Sequence, residues 1–252
     1  MHIKYHYQWS ENYKMFRDIL KFSLELYPDV FEISDEFIPQ EKWDNKIDSV
    51  KDKGWLAGCW FKVFKIHELL HSLPENSYFI FSDVDIIIFP DRKLKELMDL
   101  YVNIEADMIF MKEAQNKDCS NFGFSMYRVN DVNRKLFNRM LEEIKINPDG
   151  IDMSILNDCL KEYNGSHFYF PPELVMTSCS AIDCQQKPHN ASTMFGKAMI
   201  YQAICNPTQG KESMIYQKIN QYKMFGIPFE HIRQAMNNNE PYTLNGKPFT
   251  VN

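Results

Sequence analysis

Residues 78–90 read YFIFSDVDIIIFP, a run that is apolar except for Ser82, Asp83 and Asp85. Its aromatic and β-branched side chains predict a strand, and because both alternating faces are apolar the strand is expected at the centre of a sheet covered on both sides. Pro90 ends it. Two carboxylates in such a segment need an explanation, since ionised acids are almost never fully buried unless they are paired or bind a metal. On one extended strand residues i and i+2 point the same way, so Asp83 and Asp85 are expected to project together from its carboxyl end, where α/β sheets hold ligands. Two adjacent negative charges call for a counter-charge. A divalent cation supplies it, and hard oxygen donors with further positions left to water and phosphate describe Mg2+ or Mn2+. The alternative is plainer: one Asp caps the next turn and the other pairs with a nearby Arg or Lys.

Outward from this run the chain alternates strand-like and helix-like segments, as α/β folds do. On the amino-terminal side, residues 2–7 predict a strand, 11–26 a helix and 30–33 a second strand, and 39–53 a surface loop or short helix. Residues 55–73 predict an amphipathic helix with Val63, Ile66, Leu70 and Leu73 on one stripe and Lys62, Lys65 and Glu68 away from it. On the carboxyl side come a helix over 92–101, the strand ADMIFM (106–111), a loop, and the short apolar segment NFGFSMYRV (121–129). Asn130 or Asp131 is placed to cap the helix that carries Leu136, Met140 and Ile144. A helix over 152–163 and the strand-like HFYFP follow. In 237–252, read as a hairpin or tail, Asn-Gly separates two alternating runs, a hairpin signal. No repeat or linker divides the chain, so residues 1–252 are expected to form a single domain.

Composition narrows the function classes. With 28 basic against 34 acidic residues the chain lacks the positive footprint of a nucleic-acid binder. No apolar stretch is long enough to span a bilayer and the amino terminus lacks a signal-peptide core, so a soluble cytoplasmic protein is expected. Six dispersed cysteines read as reduced thiols. Cys179, Cys184 and His189 have a spacing loosely suggestive of zinc but lack a fourth ligand.

The apolar strand with its D-x-D, the nearby Pro, the preceding helix WFKVFKIHELL, the N-x-G of Asn121 and Gly123, Asp152 at a helix start and the later HFYFPPEL occur in an order that resembles the nucleotide-diphospho-sugar transferases of the GT-A glycosyltransferase fold. The likeness covers about residues 55–197. It implies a single Rossmann-like α/β domain with a mixed, mostly parallel central sheet flanked by helices. It also implies a metal-dependent enzyme that moves a sugar from a UDP- or GDP-sugar to an acceptor hydroxyl, most simply on a glycan. Asp85 would then ligate Mn2+ or Mg2+ on the diphosphate, and Asp83 would bind ribose, the metal or the donor sugar. His189 would complete the coordination and Lys197 would reach phosphate. Lys62 would bind the donor, with a solvated helix face as the plain alternative; Asn121 and Gly123 would meet the sugar or form only a turn. Asp152 would act as general base or hold the acceptor, unless it merely caps its helix; Met153 after it departs from the polar residue usual in the family. Two other readings compete: a haloacid dehalogenase-type phosphohydrolase, whose strand also ends in D-x-D, and a non-catalytic nucleotide-sugar-binding protein on the same fold.

Overall fold

The computed structural model describes residues 2–39, 53–89, 93–114, 117–177, 199–203, 218–219, 221–222, 242–244 and 247–249. The central sheet has six strands: β1 (Ile3–Trp9), β2 (Phe31–Phe37), β3 (Tyr78–Ser82), β5 (Met108–Ala114), β6 (Lys117–Arg128) and β7 (His167–Tyr169). Their order is β2-β1-β3-β6-β5-β7. Pairs β2–β1, β1–β3 and β5–β7 are parallel, while β6 runs antiparallel to both β3 and β5. A second sheet, ordered β4-β9-β8, joins β4 (Ile86–Ile88), β8 (Val175–Thr177) and β9 (Ile200–Gln202). β10 (Tyr242–Leu244) and β11 (Lys247–Phe249) pair antiparallel, as the Asn-Gly signal predicts.

Alternation along the strands feeds two cores. Phe79 and Phe81 of β3, with Met108 and Phe110 of β5, pack against α2 (Lys53–Ser72), α4 (Asp131–Ile146) and α5 (Asp152–Leu160). The intervening Ile80, Ile109 and Met111 face the other way, into a core shared with α1 (Lys14–Leu24), α3 (Lys93–Asn103) and the second sheet. Both faces of the sheet are therefore covered, which is why the inner strand β3 is apolar on both faces. The Asn130 side chain caps α4 by accepting the Asn133 N–H at 2.9 Å.

Two expectations are corrected. Residues 78–89 are not one strand: the chain leaves the central sheet at Asp83 and re-forms as β4 in the second sheet, where Ile86 sits opposite Gln202. An apolar run records burial, not which sheet each half joins. The segment 121–129 is likewise no short piece after a loop but most of the twelve-residue β6, the neighbour of β3.

Candidate active site

The site lies where β3 ends and the chain bends. The Asp83 N–H donates to the Gly123 carbonyl of β6 at 2.8 Å, and the Ala203 N–H, just after β9, donates to the Asp85 carbonyl at 3.1 Å. These bonds tie the two aspartates to different strands, yet their side chains still converge. Gln202 Nε2 lies 2.9 Å from an oxygen of Asp83 and 3.3 Å from an oxygen of Asp85. Gln202 is buried, and its Oε1 has no hydrogen-bond partner. It rests directly on Gly123: a Cβ there would come within 1.9 Å of that same oxygen, so the glycine is what leaves room for the Gln202 amide in this position.

Each acid also holds a lysine. Lys62, reaching in from α2, places its ammonium 2.7 Å from Asp83 and 3.3 Å from Asp152. Burial favours loss of its proton, but the two carboxylates outweigh it and the ammonium is held above the usual lysine range. Lys218 pairs with Asp85, which is 3% exposed, and donates to the Ala203 carbonyl at 2.9 Å. Burial pulls the Lys218 ammonium down to about 8, with Asp83 opposing the fall and Lys62 adding to it. Beside these groups is a cavity of about 150 Å³ lined by Trp9, Ser10 and Tyr13 after β1, Cys59 and Lys62 of α2, and Asp83 and Asp85. Its aromatic wall is braced from outside. Trp9 donates to Asp35 at 3.1 Å, and the Arg17 guanidinium, itself paired with Asp35, lies over the Trp9 ring. Burial, then Asp152, pushes the Cys59 thiol well up, so it is an inert wall.

The residues singled out from sequence fare unequally. Asp83, Asp85, Lys62 and Asp152 come together. Lys62 is no solvated helix residue, because the turn of α2 carrying it faces the end of the sheet; Lys65 instead pairs with Glu36 and Glu68. Asp152 is the first residue of α5, and its carboxylate accepts the Met153 N–H at 2.8 Å while it holds Lys62. Asp152 is not the cap, which is Ile151, but its carboxylate serves the first turn of the helix and the site together. Asn121 does not face the cavity: its amide donates to Glu113 and its oxygen accepts the Gly123 N–H, fixing the irregular stretch of β6 around Gly123. His189, Lys197, Cys179 and Cys184 lie outside the described residues. Sequence reading missed Gln202 and Lys218. Gln202 is a lone polar residue in an apolar stretch, IYQAIC, the same signal that drew attention to Asp83 and Asp85, whereas Lys218 follows Gln217 in IYQKI and carries no such signal.

The donors present suit a hard cation. Two carboxylates converge to within bonding distance of one amide nitrogen, and the unsatisfied Gln202 oxygen adjoins them. Among the described residues no three His, Cys, Asp or Glu side chains are placed to hold one metal ion together, so Asp83 and Asp85 would hold the ion with water and ligand oxygens, as Mg2+ and Mn2+ accept.

Solved structures place this architecture in a class. A glycosyltransferase involved in glycosylation of the major capsid of PBCV-1 matches with a TM-score of 0.56 at 10% identity, over 88% of this chain and 100% of that one. The galactosyltransferase LgtC, in complex with donor and acceptor sugar analogues, matches with a TM-score of 0.53 at 12% identity, over 89% and 95%. The glycosyltransferase GlyE of Streptococcus pneumoniae TIGR4 matches with a TM-score of 0.55 at 13% identity, over 98% and 66%. The fold is that of the GT-A glycosyltransferases. Curated protein sequences give no significant match. The nucleotide-diphospho-sugar transferase family model, however, matches residues 17–217, and the chain belongs to that family. Membership sets aside the phosphohydrolase alternative.

Proposed function

We propose that the protein is a metal-dependent glycosyltransferase that moves a hexosyl or pentosyl group from a UDP- or GDP-sugar to an acceptor hydroxyl on a glycan. The observation that carries this reading is the convergence of Asp83 and Asp85 on one point beside the cavity, in a chain of this family. Mn2+ or Mg2+ held by Asp83 and Asp85 would supply Lewis-acid stabilisation of the charge that develops on the leaving nucleoside diphosphate. The chain's own residues do the rest. Lys62 fixes the Asp83 carboxylate and places a positive charge at the cavity wall where an anionic donor would lie. Trp9 and Tyr13 give that wall an apolar side that shields the donor from water. Asp152, which shares Lys62 with Asp83, is proposed as the carboxylate of the acceptor side, as general base or as a hydroxyl-binding group. His189 and Lys197 remain in the proposal as a further metal ligand and a phosphate contact. A cytoplasmic setting is included, supported by the free thiols of Cys59 and Cys159. Among the described residues no helix is long and apolar enough to cross a membrane.

The test is nucleotide release from a panel of UDP- and GDP-sugars, with and without EDTA, on the wild-type protein and on Asp85→Ala. Release that needs the metal and is lost in the variant supports the proposal. Release that survives both treatments refutes the assigned role of Asp85.

A further inference from the structure

We infer that Lys218 is a tethered cation that neutralises Asp85 in the free protein, gives way when a divalent ion takes that carboxylate, and then binds the donor diphosphate. The inference rests on the reading of Asp83 and Asp85 as the metal-holding pair. Three carboxylates, Asp83, Asp85 and Asp152, face two ammonium groups, Lys62 and Lys218. The two lysines are not equivalent. Lys62 is locked between two acids, so it keeps a partner if either is taken. Among the described residues Lys218 has Asp85 as its one ionised partner, and its other contacts there are neutral: the Ala203 carbonyl at 2.9 Å and the face of the Tyr13 ring, 5.9 Å from the ammonium. A dication on Asp85 would set like charges side by side in a buried, weakly screened place, and Lys218 is the group free to yield.

It need not go far. Lys218 lines the same cavity as Tyr13 and Lys62, and a lysine stem turns easily about its single bonds. A diphosphate arriving with the dication offers the displaced ammonium new oxygen partners. Cation and nucleotide would then bind synergistically, each weakly alone, because only the pair leaves every charge matched.

The experiment compares the wild-type chain with Lys218→Met. Mn2+ affinity without nucleotide is read from the electron paramagnetic resonance signal of free Mn2+, and UDP and GDP affinity at saturating Mn2+ by calorimetry. The expected result is opposite in sign for the two ligands: Mn2+ alone binds at least about fivefold tighter in the variant, and the nucleotide at least about fivefold weaker. A side chain that merely supports the fold would move both the same way or neither. Equal Mn2+ affinity in the two proteins, or parallel shifts, overturns the inference. Lys218→Gln, which can still donate to the Ala203 carbonyl, gives the same readings if the Met variant does not fold. Absence of nucleotide binding by the wild-type protein with Mn2+ would sink the proposed donor while the Mn2+ comparison still judges Lys218.

Discussion

Between the central sheet and α4 the molecule is dry: Phe137 meets Phe122 and Tyr127 edge-on at 6.3 and 5.6 Å, and Leu136, Met140 and Ile144 complete the contact. At the carboxyl end of β3, the neighbour of β6, five charged side chains and one amide gather beside a cavity instead. The first region is held by area removed from water, and any apolar side chain of the right size would serve. The second is held by matching of charge, where each group is tolerable only because its partner is present. The contrast separates what keeps the protein folded from what it uses: substitutions in the first region should change stability without changing binding, and substitutions in the second should change binding, with a cost in stability where they strand a buried charge.

Four substitutions sharpen that division, beginning with the largest effect. Asp85→Ala should lower nucleotide release by on the order of a thousandfold, because the proposed ion would contribute several kcal/mol of stabilisation at the leaving group; circular dichroism should show an intact fold. Phe137→Ala should do the opposite. Removing a ring that is fully buried should cost about 3–5 kcal/mol in urea unfolding, with nucleotide affinity of the folded fraction unchanged. A large loss of affinity there would break the comparison.

Lys62→Met tests the boundary, since it leaves Asp83 and Asp152 without their shared cation. Breaking a pair that is largely but not wholly buried should cost about 2–3 kcal/mol in denaturant unfolding, and donor binding should weaken as well. Gly123→Ala is finer. The new methyl must push the Gln202 amide off both carboxylates, and because that amide is the end of a flexible side chain the melting temperature should barely move. Mn2+ affinity should nonetheless change by about tenfold, as for other groups that orient a metal's ligands.

The smallest effect concerns pH. Burial, then the charge of Lys65, lowers His6 from 6.5 to about 4. Between those values the unfolded chain binds the extra proton, so this contribution to stability is full above 6.5 and is lost as the pH falls towards 4. His6→Gln should flatten the slope of stability against pH in that window, which lies outside both the apolar core and the site.

Much of this was legible in the residues, for reasons that can be named. The stripe of Val63, Ile66 and Leu70 and the cap at Asn130 are local signals, and the helices they predict form. The D-x-D in an apolar run marked the site because buried charge demands a partner. What failed was the geometry assigned to it: alternation predicts Asp83 and Asp85 side by side on one strand, whereas they converge across a bend between two sheets. Lys62 was read off the buried stripe of its helix, correctly, but the place that side of the helix faces was not in the sequence.

The order of residues alone determined that this is an α/β protein with a doubly covered sheet, and that the end of the strand YFIFS is where its charges collect, because periodicity and the cost of burying carboxylates act over a few neighbouring positions. Only the tertiary structure decided which groups answer those charges. Gln202 and Lys218 lie 117 and 133 positions from Asp85, and nothing within either segment encodes that separation. Their arrival depends on the path of the whole chain, since a contact across the fold is set by how β4, β9 and α1 pack and not by any pattern in the residues that make it.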